Sequence, residues 1–143
     1  MNAPAVARIL GSLFLIAGIA GLLPWTAPAA PPDAPVITLD AFYRFIAGVF
    51  PANLALDALH LIFGVWALVA AMGFGSAVAY CRFVTWIYLI FVVLGAVPLF
   101  AFYTLFGAAP IFGWAVGLHA SIVLLAAYGG YGRGSILVEA TPQ

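Results

Sequence analysis

Charged residues are scarce in this sequence. Only four Asp or Glu and four Lys or Arg occur among 143 residues, and the net charge is zero. A soluble domain of this length could not hide a composition that is 67% hydrophobic, because globular proteins average ~45–50% apolar residues. The lack of any basic run also argues against nucleic acid as a partner. The composition therefore predicts an integral membrane protein.

Cysteine is almost absent, and the sequence motifs of common enzymes are missing. The single Cys81 excludes an internal disulfide and a cysteine-type metal site. The chain has no nucleophile elbow, no phosphate-binding loop and no His-Glu-x-x-His sequence. We therefore expect a protein that is not an enzyme and that holds no metal.

Long hydrophobic runs, in contrast, fill most of the chain. A helix needs about 20 residues to cross ~30 Å of hydrocarbon. Four segments reach that length, at residues 5–23, 53–72, 78–101 and 111–131. The predicted fold class is all-α, with residues 1–143 forming one transmembrane domain, an integral membrane four-helix bundle.

The connection between the first two spans is the longest in the chain. Its first part, TAPAAPPDAP, is rich in proline and predicts irregular or extended backbone. Its second part, from Leu39 to Phe50, carries aromatic and aliphatic residues at helical spacing. That spacing predicts a short helix in the membrane interface, with Asp40 as its N-cap and Pro51 at its end.

The arginines predict how the bundle is oriented. Four spans place both termini and the 73–77 turn on one side, together with Arg8, Arg82 and Arg133. The opposite side holds only Arg44. Because cytoplasmic loops carry the excess of positive charge, we predict a protein of the bacterial cytoplasmic membrane with both termini in the cytoplasm.

The two halves of the chain share a pattern of charged, small and proline residues. The matched pairs are Arg8 and Arg82, Gly21 and Gly95, Pro24 and Pro98, and, between the second and fourth spans, His60 and His119. This match predicts a tandem repeat of two helical hairpins. Hairpins that enter the membrane in the same direction are related by an axis along the membrane normal.

Polar residues follow one face of the second span. At ~100° per residue, Asn53, Asp57 and His60 fall on one line. His119 holds the matching place in the fourth span, which puts both imidazoles about 10–12 Å below the ends of their helices. An ionisable residue in a span is normally paired or faces a cavity. We therefore predict an intramembrane polar cluster of Asn53, Asp57, His60 and His119.

Three functions are compatible with this cluster. In the structural one, the polar residues join neighbouring helices, and the protein is a scaffold or accessory subunit whose partners are lipid, other membrane proteins or further copies of itself. In the redox one, His60 and His119 are the axial ligands of a b-type haem. In the third, Asp57 and His60 belong to a path for protons or a small solute. Polar packing residues are commoner than sites, which favours the structural function.

The run GVFPANLALDALHLIFGVWAL, residues 48–68, resembles a bacterial membrane family catalogued as a domain of unknown function, number forty-three eighty-three. Its members are small four-span proteins whose second span typically opens with Phe-Pro-x-Asn and continues through His to Leu and Gly. The matching residues are Phe50, Pro51, Asn53, His60, Leu61 and Gly64, with Leu118-His119 in the last span. Leu56 and Asp57 depart from the family pattern, which often has His and Asn there. The resemblance implies the four-span topology and leaves the function open.

Overall fold

Four α-helices form the protein, in a computed structural model that describes residues 2–99 and 101–132. They are α1 (Ala3–Leu22), α2 (Leu54–Ala70), α3 (Phe74–Ala96) and α4 (Trp114–Tyr131). Helices α1, α3 and α4 are long and apolar enough to cross a membrane, and α2 is an apolar helix of 17 residues. The chain is therefore a helical membrane protein. The predicted polar tail, with Arg133, lies outside the described residues.

Local backbone chemistry explains why some helices begin or end away from the predicted boundaries. Helix α3 begins at Phe74, earlier than predicted, because the preceding turn is complete by Gly73, its N-cap. It ends at Ala96 because Pro98 disfavours helical backbone in the residue before it. Helix α4 begins later than predicted, because Gly113 adopts a φ of 64°.

The helices pair as two hairpins, α1 with α2 and α3 with α4. Glycines bring α1 and α2 close together: a Cβ on Gly11 would lie 3.0 Å from the carbonyl oxygen of Gly64. A Cβ on Gly18 would lie 2.8 Å from the carbonyl oxygen of Asp57. Helices gain close van der Waals contact in a membrane where small residues let their backbones approach. The seam between the hairpins, where α1 meets α3 and α4, is less extensive.

The predicted interfacial helix at Leu39–Phe50 is wrong, because this segment contains most of a β-hairpin. Strand β1 (Arg44–Ile46) pairs antiparallel with β2 (Phe50–Ala52). Ala47 and Gly48, in the turn between them, have φ of 52° and 74°, which an α-helix cannot contain. Aromatic and β-branched side chains favour the extended strands.

The proline-rich stretch has irregular backbone with turns, one of the two predicted alternatives, and Ala29 forms an isolated bridge with Arg44 of β1. The N–H of Phe45 donates to the carbonyl of Pro28 at 2.9 Å. The N–H groups of Thr38 and Leu39 both donate to the carbonyl of Gly107, at 2.9 and 3.0 Å. The two bonds to Gly107 join residues 24–52 to residues 101–113 over the end of the bundle where α2 and α4 begin. We call these two segments together the cap.

A tyrosine side chain also ties the cap together. The hydroxyl of Tyr43 donates to the carbonyl oxygen of Pro35 at 3.0 Å. Burial raises the pKa of Tyr43, and the nearby Tyr103 raises it further. The neutral, donating form of this phenol is therefore favoured in the folded cap.

Candidate functional site

Asn53 occupies the junction between the cap and the bundle. Its side chain is fully buried, and its Oδ1 accepts from the N–H of Leu56 at 2.9 Å, which caps α2. Its Nδ2 donates to the carbonyls of Leu39 at 2.7 Å and Ala108 at 2.8 Å. One amide therefore fixes the start of α2 and both halves of the cap. The Phe-Pro-x-Asn sequence therefore lies where strand β2 ends and α2 begins, with Asn53 as the N-cap of the helix.

Asp57 lies one turn further along α2, buried against α1. Its side chain is fully buried, and neither carboxyl oxygen accepts a hydrogen bond from any described residue. The carboxyl packs directly on Gly21, where any Cβ would collide with it. A group of this kind costs free energy when it is buried without a partner. In this respect Asp57 differs from Asn53, whose side-chain oxygen and nitrogen both have hydrogen-bond partners.

The two histidines lie on α2 and α4, in different hairpins, and contact a common group of aromatic rings. His60 stacks on Phe14, with the ring centroids 5.6 Å apart and the planes 13° apart. His119 meets the ring of Tyr88 edge-on at 5.2 Å. The ring centroids of Tyr88 and His60 are 6.5 Å apart, so one ring from α3 lies beside both imidazoles. Both histidines are buried, at 8% and 2% exposure.

A cavity of about 250 Å³ opens beside these rings, in the seam between α1 and α4. His60 and His119 both line it, together with Phe14. Its other walls are aliphatic, from α1, α4 and β1, and they are Leu13, Ile16, Ala17, Ala20, Ile46, Leu118 and Ile122. The cluster predicted from the sequence is thus divided in two. The histidines share a cavity, whereas Asn53 and Asp57 lie in the contacts of α2 with the cap and α1.

Several polar atoms around the cavity have no partner within the described part of the chain. They are Nδ1 of His60, Nδ1 of His119 and the hydroxyl oxygen of Tyr88, all buried. Since no neighbour holds either Nδ1, no hydrogen bond at that atom fixes the tautomer or the orientation of the two rings. Buried polar groups are usually hydrogen-bonded, so this concentration of unpartnered atoms calls for an explanation.

Tyr88 and Phe14 are the residues of this site that sequence reasoning missed. The sequence alone does not indicate whether an aromatic residue in an apolar span faces the other helices or the lipid. The signal that could have found Tyr88 is its spacing from Cys81 and Val84, which puts all three on one face of α3, and all three are buried. Over residues 2–99 and 101–132, no group of three or more His, Cys, Asp or Glu side chains could hold a metal ion.

One comparison with known proteins gives a match. The sequence model of the family described as "Domain of unknown function (DUF4383)" matches residues 5–132. That range contains all four helices, the cap and the cavity between α1 and α4, apart from the first residues of α1. No curated protein and no solved structure matches the chain.

Proposed function

The chain belongs to the DUF4383 family, and on its geometry we propose that it is a non-enzymatic, structural protein of the bacterial cytoplasmic membrane. In this proposal it crosses the membrane four times with both termini in the cytoplasm, and the cap faces outward. It acts as an accessory subunit of a larger membrane assembly or as a homo-oligomer. The observation that carries the proposal is the construction of the cap.

The cap combines internal cross-linking with exposed apolar side chains. Asn53 and the bonds to Gly107 hold its two segments together from within. On its surface Val36 is 92% exposed and Phe106 is 67% exposed. An apolar surface that is held rigid loses little conformational entropy when a partner covers it. This favours a docking role over a passive connection between helices.

The native mass of the protein tests this proposal. Extraction in mild detergent or in native lipid particles is expected to give a mass above that of one 15.0 kDa chain. The double variant Val36→Asp/Phe106→Asp is expected to release the single chain, since each carboxylate would be buried against the partner. Asp40→Asn changes an exposed cap residue without touching the apolar surface, and serves as the matched control. A single chain in native membranes would contradict the proposal.

A tandem repeat of two hairpins also belongs to this proposal, and the glycine contacts support it. Gly21 on α1 packs on Asp57 of the following helix. Its sequence-matched partner, Gly95 on α3, packs first on the backbone carbonyl of Ile111 in the cap and then on α4, where a Cβ would lie 3.1 Å from Val116. In the sequence, Asp57 precedes His60 by the same number of residues as Val116 precedes His119. A duplication accounts for this agreement in both halves.

The second candidate function is binding of a b-type haem by His60 and His119, which is favoured because both line one cavity. Its volume of about 250 Å³ is below the ~300–1,000 Å³ of most ligand pockets. A haem would therefore need the rings of Phe14 and Tyr88 to move. A visible spectrum before and after dithionite tests it. A Soret band lost in His119→Ala supports haem, and a colourless preparation contradicts it.

A further inference from the structure

We propose that the cavity between α1 and α4 holds one acyl chain of a membrane phospholipid, whose head group stays outside it. This inference is independent of the structural function above. It rests on the composition of the cavity walls, on the opening of the cavity toward the lipid, on its depth in the bundle and on its volume.

The walls of the cavity are made almost entirely of carbon. His60 and His119 line it, but the lining exposes practically no polar surface, and the Nδ1 atoms of both imidazoles are sealed from it. The other walls are the ring of Phe14 and aliphatic side chains. A water molecule needs about two to four polar partners to occupy a cavity. These walls therefore exclude water and suit a hydrocarbon that makes no hydrogen bonds.

The cavity opens on a surface that faces lipid. Leu13 and Ile16 on α1 and Leu118 on α4 line the cavity and are also exposed on the outside of the bundle. Both helices are long and apolar enough to cross a membrane, so hydrocarbon chains surround this opening. An acyl chain can enter between the two helices sideways, while its head group remains in the membrane interface.

The depth of the cavity matches the chains of one leaflet. His119 and His60 follow Trp114 and Leu54, the first residues of α4 and α2, by five and six residues. At ~1.5 Å per residue, both rings lie about 7–9 Å below the starts of their helices. Each leaflet contributes about 15 Å, half of the ~30 Å hydrocarbon core. The cavity is therefore within reach of a chain from the leaflet on the side of the cap.

The volume of the cavity fits one flexible chain. A cavity of ~150 Å³ is enough to bind benzene, so about 250 Å³ accommodates a run of methylene groups. A helix of a partner protein is about 10–12 Å across with its side chains and is too wide to enter. Walls that face a void lose dispersion contacts, and an acyl chain restores them. Unlike a haem, the chain does not require Phe14 or Tyr88 to move.

Proton NMR of the two histidines tests the proposal directly. The chain has only two His, so deuterated protein with protonated histidine rings gives two sets of ring signals, which His60→Phe and His119→Phe assign. In nanodiscs of ordinary phospholipid, we expect nuclear Overhauser cross peaks at short mixing times between both rings and the chain methylenes. Both residues are more than nine-tenths buried, so lipid that only surrounds the bundle is out of their reach.

Deuteration of the lipid identifies the occupant. In nanodiscs of the same phospholipid with perdeuterated chains, the cross peaks are expected to disappear. Cross peaks that persist would come from another molecule, such as an isoprenoid compound carried through purification, and would overturn the proposal. Cross peaks to water instead of methylenes, or none from either ring in protonated lipid, would also overturn it. These outcomes are read from both rings of the wild-type protein and need no variant to fold.

A cavity-filling variant locates the chain. Ala20→Leu is expected to remove most of the cross-peak intensity at both rings, because the larger side chain occupies the space of the methylenes. Ala79→Leu, at an exposed position of α3, is the matched control and should keep the wild-type intensity. Unchanged cross peaks in a folded Ala20→Leu variant would place the lipid elsewhere and contradict the proposal.

Discussion

A single buried amide, that of Asn53, carries the junction between the cap and the bundle. Asn53→Ala removes the cap of α2 and leaves the carbonyls of Leu39 and Ala108 without a donor. We expect the free energy of unfolding in detergent to fall by about 2–4 kcal/mol, from one lost helix cap and two lost hydrogen bonds. Asn2→Ala, which removes the exposed cap of α1, is the control and should cost about 1 kcal/mol or less. Equal losses in the two variants would contradict this role.

The neighbouring carboxyl of Asp57 leads to the opposite expectation. Because it is buried without a partner among the described residues, Asp57→Asn should raise the free energy of unfolding by on the order of 1 kcal/mol. Asp57→Val, which copies Val116 in the other half, should raise the free energy of unfolding by at least as much. Asp33→Asn, at an exposed position, should change nothing. All three variants can be measured by denaturant titration in detergent micelles. A proton path would instead show as flux in liposomes that Asp57→Asn abolishes.

The burial of these side chains could be predicted from the sequence, but their partners could not. Helical spacing places Asn53, Asp57, His60 and His119 on faces that are buried in the structure. Spacing carries no information about contacts with distant segments. The two carbonyls that Asn53 holds come from connections far from it in the chain, and the role of Tyr88 depends on a third helix.

At the scale of the elements, the contact between α1 and α2 depends on glycines, which have no side chain. A Cβ on Gly18 would lie 2.8 Å from the backbone oxygen of Asp57, which cannot move aside as a side chain can. Gly18→Ala should therefore push the helices apart and lower the free energy of unfolding by about 1–3 kcal/mol. On α4, Gly117 has open space around it. Gly117→Ala should be neutral or stabilising by up to about 1 kcal/mol, because alanine favours helix. Thermal denaturation of both variants measures the difference.

The hairpin in the cap shows why one element was missed. The residues from Leu39 to Phe50 have aromatic side chains at intervals that fit a helix, and the same residues also favour strands. Over so short a segment the two periods cannot be distinguished. The positive φ of Ala47 and the pairing of Phe45 with Pro28 decide the structure, and the second of these lies outside the segment. The four α-helices could be predicted because their hydrophobic runs are longer than a β-strand.

At the scale of the whole molecule, the proposed orientation can be tested by chemical labelling. Asp40 in the cap is exposed and lies outside the apolar docking surface, and Met72, in the turn between α2 and α3 at the opposite end of the bundle, is 87% exposed. Asp40→Cys should react with a membrane-impermeant maleimide in intact cells. Met72→Cys should react only after the cells are lysed. The native Cys81 is fully buried and should stay unlabelled in both. The reverse pattern would place the termini outside.

The unequal lengths of the helices have a consequence for the bilayer itself. At ~1.5 Å per residue, the 17 residues of α2 span about 26 Å, whereas the 23 residues of α3 span about 35 Å. On the four-span topology proposed above, lipid beside α2 would thin and α3 would tilt so that both keep their apolar surfaces covered. The molecule would then impose a thickness gradient on the lipid around its circumference. In vesicles of graded acyl-chain length, it should be most stable in the thinner ones.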